Sequence, residues 1–378
     1  MKVIHLIDHL GTGGSQATLV DQVEARSPDV HTSVWSLRNH SVRGVARRLH
    51  QAGVPPRSLG IDVLHLYRAL AVREALSSEN PDVLHAHLDY ASVAGPALAS
   101  TMGATRPAVL LHLDNHPDMQ YAPGIRWLIG RLAPRIDSIV AVSDGVRRAA
   151  EAGFAVARRI EVIRPGIELQ RFRPERANGR EVASLRKGES RVIGTVARLV
   201  EQKAVHVLLD AAGRLIGEGL DLRVLIVGDG PQQTMLQGRV KQLGIDEKVD
   251  FLGYREDVVS AYAAMDVFVL PSRFEGFGIV FLEAMAMGVP VVGTRVVGSE
   301  EAVQEGKTGL LVQSDDAPAL AAAVRRLLED LNLARKLRRG ATDWISRHGS
   351  RDRMVSRTED LYARIAEERR RRIHGANR

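Results

Sequence analysis

Cysteine is absent from all 378 residues, which removes disulfides, thiolate metal sites and a cysteine nucleophile. Aromatic residues make up only 4%, so the core must be built from Leu, Val, Ile and Ala. With so few rings, stacking platforms for nucleic acid are lacking, and nucleic acid is not an expected partner. Long apolar runs are missing too. Val109–Leu111 and Val267–Leu270 fall far short of the ~18 residues that cross a bilayer, and Asp8 interrupts Val3–Ile7 before it could act as a secretory core. These absences predict a cytoplasmic protein, with any membrane contact peripheral, at the inner face.

What is present is ordinary for a globular chain of two to three domains: 26% charged and 45% hydrophobic residues. The net charge is +7, with most of the excess in the first half. Arg43, Arg47 and Arg48 form one cluster and Arg369 to Arg372 another. Such clusters suit anionic lipid or a phosphorylated substrate, or are solvated faces of an arginine-rich sequence.

β-branched runs at Lys2–Asp8, Thr32–Leu37, Asp82–His87, Ala108–Leu113 and Ser138–Val142 alternate with helical spacing, as in Leu66, Leu70 and Val72–Leu76. The pattern restarts with strands at Arg191–Val196, Asp221–Val227, Val249–Leu252, Asp266–Leu270 and Val289–Val292, and with helices at Ala204–Ile216 and Gln233–Gln242. Alternation of this kind predicts an α/β chain with two doubly wound, Rossmann-like domains facing across a cleft, over residues 1–170 and 180–350. The charged stretch Arg171–Ser190 reads as the linker. An amphipathic helix follows from about Arg353, with Met354, Leu361, Tyr362 and Ile365 on its apolar face.

Several residues could carry chemistry. The loop Gly11–Gly14 between a strand and a helix could cradle a phosphate, or be a turn without a ligand. It is not a dinucleotide fingerprint, because Gln16 stands where the last glycine belongs, and the second strand ends without an acidic residue for a ribose. Arg198 and Lys203, just past the strand Arg191–Val196, could converge on a pyrophosphate or sit in a solvated loop. In Phe274–Glu283 a helix begins near Gly278, so its free amides and positive dipole end could face a ligand. Glu283 lies in an apolar run and needs a partner, either a diol or an arginine. His112 and Asp114 end a strand, where His112 could bond a substrate hydroxyl or be a satisfied core histidine. His85, His87 and Asp89 match part of a His-x-His-x-Asp-His metal motif, but Tyr90 replaces the last ligand, which favours hydrogen-bonded histidines.

Taken together, HLIDHLGTGGSQ (residues 5–16), PDVLHAHLD (81–89), VIRPGIE (162–168), GTVARLVEQK (194–203) and Glu275-x7-Glu283 followed by AMAMGVPVV resemble the retaining nucleotide-sugar glycosyltransferases of family 4, which have the GT-B fold. The resemblance runs from Lys2 to about Tyr362. It implies an acceptor domain, joined by a C-terminal helix over 353–378, and a donor domain. Arg198 and Lys203 would neutralise the departing pyrophosphate, and Glu283 would bind the ribose. Glu275 would contact the donor sugar, with the amides of Phe277, Gly278, Ile279 and Val280 beside it. His112 would bond the donor sugar, Gly13 and Gly14 would lie close to the diphosphate, and Gly228 and Tyr254 would lie near the base. The implied reaction retains configuration by same-face attack, needs no metal or other cofactor, and takes a hexosyl-type nucleotide-diphospho-sugar, with a UDP-sugar favoured. The acceptor would be a sugar, lipid-linked or small-molecule hydroxyl. Two other readings are an epimerase on the same scaffold and a silent nucleotide- or carbohydrate-binding subunit. Two departures stand out: Gln16 where the family often has glutamate, and Arg164-Pro165-Gly166 where Pro-Asn-Gly is usual.

Overall fold

The computed structural model describes every residue except 40–42, 61–68, 154–158 and 377–378. The chain divides into two compact units, Met1–Pro165 with Arg351–Arg378, and Gly166–Ser350.

The first unit holds a seven-stranded parallel sheet: β1 (Lys2–Ile7), β2 (His31–Ser36), β3 (Arg57–Ser58), β4 (Val83–His87), β5 (Ala108–Leu113), β6 (Ser138–Ala141) and β7 (Ile160–Val162). Its order is β3-β2-β1-β4-β5-β6-β7. β4 and β5 are buried at every position, as strands covered on both faces must be, so that His85, His87 and His112 enter the core along with the apolar residues. The C-terminal helix, Arg351–Ala376, lies against this sheet. Its Met354, Leu361, Tyr362 and Ile365 pack with Val83, Ala108, Leu110 and Val140. Leu66, part of the helical spacing noted above, lies outside the described residues; a helix covers Ala69–Glu79.

The second unit holds six parallel strands: β8 (Arg191–Val196), β9 (Leu222–Val227), β10 (Val249–Gly253), β11 (Val267–Leu270), β12 (Val291–Thr294) and β13 (Leu310–Val312). They run in the order β10-β9-β8-β11-β12-β13. The helix Val205–Gly217 buries Val205, Leu208, Leu209, Ala212 and Leu215, the stripe its spacing predicts.

Residues 171–190 are not a linker. Asn178 accepts hydrogen bonds from the amides of Arg180 and Glu181 and starts a helix over Gly179–Arg186, which buries Leu185 in the second unit. A cap and one buried leucine sufficed where the surrounding charge had hidden the periodicity.

In each sheet the strand order reverses once, at β1/β4 and at β8/β11. Ligands of open α/β sheets bind beyond the strand ends at such a point.

Candidate functional site

In the second unit, the loops after β8 and β11 meet at the reversal. The Arg273 amide donates to the Gln202 carbonyl at 2.8 Å, and Gln202 Nε2 donates to the Phe274 carbonyl at 2.9 Å. Lys203 Nζ lies 2.5 Å from Glu275 Oε1, which also accepts from Ser272 Oγ at 2.6 Å. Glu275 is only 6% exposed, so it is a buried carboxylate with a cation and a hydroxyl on one oxygen. Arg198 is exposed, and among the described residues it has no carboxylate partner. The glycine turn after β9 holds that loop in place. A Cβ on Gly228 would fall 1.9 Å from the Ala197 carbonyl oxygen, and the Leu199 amide donates to Asp229 O at 2.7 Å.

The helix Ile279–Ala286 begins at Gly278, whose φ of 85° is left-handed. The Phe281 amide donates to the Gly278 carbonyl at 3.0 Å, while the amides of Ile279 and Val280 have no acceptor within the helix and lie at the positive end of its dipole. Gly298 backs the preceding loop so closely that a Cβ there would stand 2.4 Å from the Gly276 carbonyl carbon. Gly298→Ala should therefore displace the loop at an overpacking cost of about 1–3 kcal/mol and weaken nucleotide binding. Wild-type affinity in a calorimetric titration of that variant would show that loop position is unimportant.

Glu283 Oε2 accepts from the Tyr262 hydroxyl at 2.7 Å. A buried phenol is thus one of its protein partners. Tyr262 is fully buried beside Phe172 and Phe268, and burial first, then the Glu283 charge, raise its pKa. Tyr262 was not identifiable from local pattern, because it reaches Glu283 from a different helix, whereas Ser272 stands three residues before Glu275 in the same loop. Tyr254, just past β10, is 43% exposed.

In the first unit the glycine loop opens the helix Gly14–Glu24, but Gln16 is buried and its Nε2 donates to the His9 carbonyl at 3.4 Å. The residue that departs from the family pattern folds beneath the loop. Asp8 accepts from the amides of Tyr90 and Ala91 at 3.0 and 2.7 Å, tying the end of β1 to the helix after β4. Burial raises the pKa of Asp8 and Asp114, and burial followed by the charge of Asp8 pushes Asp89 up to about 6.

Parallel register brings four histidines together under the C-terminal helix. His5 pairs with His85 across β1 and β4, and His87 with His112 across β4 and β5. All four are at most 3% exposed. His5 Nδ1 lies 3.0 Å from His87 Nε2, His85 Nδ1 is 2.7 Å from the Tyr362 hydroxyl, and His85 Nε2 is 3.2 Å from His112 Nδ1. Burial, then neighbouring histidines, lowers His5 to about 3 and takes His85 and His87 well below the usual imidazole range. His5, His85 and His87 could bring three nitrogens within 4.8 Å for a metal ion, but the hydrogen bonds already engage both nitrogens of His85. His112 is hydrogen-bonded on one side of its ring. Its Nδ1 is satisfied, while its buried Nε2 has no hydrogen-bond partner and faces Asp114 Oδ1 at 3.5 Å.

The arginine clusters are substantially neutralised. Arg48 binds Asp21 and Glu24, Arg370 binds Asp82, Arg371 binds Glu367, and Arg372 lies 3.5 Å from Asp137. The side chain of Arg43 lies outside the described residues. No helix among the described residues is long and apolar enough to cross a membrane.

Two Rossmann-type units, the second with cations and a helix start at its reversal, define a chain of the GT-B fold. HepE from Anabaena, solved with UDP-glucose, superposes with a TM-score of 0.85 at 23% identity over 96% of this chain and 99% of that one. The pattern described as Glycosyltransferase Family 4 matches residues 3–171, and that described as Glycosyl transferases group 1 matches residues 190–330. A GDP-mannose-dependent alpha-(1-6)-phosphatidylinositol monomannoside mannosyltransferase of Mycolicibacterium smegmatis is 35% identical over 72% of each chain. A D-inositol 3-phosphate glycosyltransferase of Corynebacterium urealyticum is 40% identical over 53% of this chain and half of its own length. The chain belongs to the family 4 glycosyltransferases.

Proposed function

We propose that the protein transfers a hexosyl group from a nucleoside-diphosphate sugar to an acceptor hydroxyl, with retention and without a metal ion. The observation that carries this reading is the reversal point of the second unit, where exposed Arg198, the Lys203–Glu275–Ser272 cluster and the helix start at Gly278 adjoin. The demanding event is departure of a nucleoside diphosphate from the anomeric carbon. Fixed cations and backbone amides aimed at the leaving phosphates lower that barrier. Glu275 is engaged by Lys203 and Ser272, which suits positioning better than covalent attack and supports same-face substitution. His112 contacts the donor sugar, and the first unit receives the acceptor. The named relatives extend to this chain, as a proposal, a sugar, lipid-linked or small-molecule acceptor, with peripheral membrane contact where that acceptor is a lipid.

Calorimetric titration with UDP, GDP, ADP and dTDP in EDTA tests the donor site and its metal independence together. Micromolar binding of UDP supports the UDP-sugar expectation, while binding of GDP alone would replace it with the donor type of the M. smegmatis relative. Binding by none of them removes the reading. Glu283→Ala should delete charge-assisted hydrogen bonds of roughly 1.5–3 kcal/mol and lower nucleotide affinity about 10- to 150-fold. Unchanged affinity in the folded variant would take Glu283 out of the site.

A further inference from the structure

We propose that Tyr362, on the C-terminal helix, is a positioning residue that acts through His85 to fix the tautomer of His112; this rests on the reading of His112 as a donor-sugar contact. The chain of contacts is continuous: Tyr362 hydroxyl to His85 Nδ1 at 2.7 Å, His85 Nε2 to His112 Nδ1 at 3.2 Å, and His112 Nε2 to Asp114 Oδ1 at 3.5 Å. Its direction follows from donor chemistry. A carboxylate can only accept, so Asp114 favours the proton on His112 Nε2. In the neutral form of His112, Nδ1 is then bare and must receive a proton from His85 Nε2. His85 is left with a bare Nδ1, which needs a donor, and the phenol supplies one. Tyr362 is 3% exposed, and burial raises its pKa, so it keeps the proton it donates.

The consequence lies at the free end. Asp114 is too distant for a well-formed hydrogen bond, and His112 Nε2 is buried without one. A sugar oxygen reaching that nitrogen would meet an N–H already oriented as a donor, with no proton to be rearranged first. The end of the chain thus contributes to a group that lies about 250 residues earlier in sequence.

The full-length enzyme, labelled with 15N-histidine, tests this directly. Wild-type His112 should show a protonated Nε2 and a bare Nδ1. The opposite tautomer, expected if a protonated Asp114 donated along the chain, overturns the proposal without any variant. Tyr362→Phe removes only the hydroxyl. It should mix the His112 tautomers and lower kcat about tenfold, the effect of one hydrogen bond, with the donor KM little changed. A merely structural tyrosine would lower thermal stability and leave both tautomer and kcat as they were. His112→Ala separates the two levels of the argument: wild-type turnover there removes His112 from the site. An impaired His112→Ala beside a Tyr362→Phe of unaltered kcat sinks the relay alone.

Discussion

Lowering the pH from 7.5 to 5.5 should weaken the first unit by about 2–3 kcal/mol, with most of the loss below pH 6.5. His5, His85 and His87 are buried and neutral, with His5 lowered to about 3 and the other two well below their usual value. Once unfolded, each takes up a proton near pH 6.5 that the folded state refuses. Stability is therefore fully present above that pH and falls as the pH drops, by about 1.4 kcal/mol per pH unit for each histidine. Asp89, raised to about 6, takes up a proton in the folded state over the same window and offsets part of one histidine. Asp8 and Asp114, raised by burial, act in the same sense as Asp89. Urea unfolding followed at Trp35, which is buried in β2, reads this unit. His5→Asn should flatten the pH slope by about one proton, whatever it does to stability at pH 7.5. A stability independent of pH between 7.5 and 5.5 would show that the cluster is already charged or open to water.

Arg198 and Lys203 should separate in how they fail. Arg198 is exposed and holds no carboxylate, so Arg198→Ala should lower kcat about 100-fold while leaving the melting temperature alone. Lys203→Ala should lower turnover at least as much, and it also strands a carboxylate that is 6% exposed, with Ser272 as its remaining side-chain partner among the described residues. Breaking a buried pair costs about 3–5 kcal/mol; with Lys203 itself 18% exposed, the lower end is expected here. Lys203→Ala with Glu275→Gln should recover much of that stability and none of the turnover. Wild-type turnover in either single variant would place the charge that stabilises the leaving group elsewhere. A stability loss in Lys203→Ala that the double variant fails to recover would mean that the pair does not carry the fold at this point.

The sequence by itself determined the alternation of strand and helix, and with it the two parallel sheets, because strands buried on both faces must read as apolar runs. It also placed the start of the helix at Gly278, where glycine and a following apolar run leave few alternatives. The short strands Arg57–Ser58, Ile160–Val162 and Leu310–Val312 were not distinguishable, since two or three residues carry no period. The helix over 179–186 was masked by charge. Which side chains meet was beyond local pattern altogether. Strand register sets His5 beside His85 and His87 beside His112. Packing of the last helix on β4 and β5 adds Tyr362. The β8/β11 reversal closes Lys203 on Glu275, and Tyr262 reaches Glu283 from another helix. Each of these pairs joins residues far apart in the chain, so only the tertiary structure, through register and burial, decided their partners and their protonation.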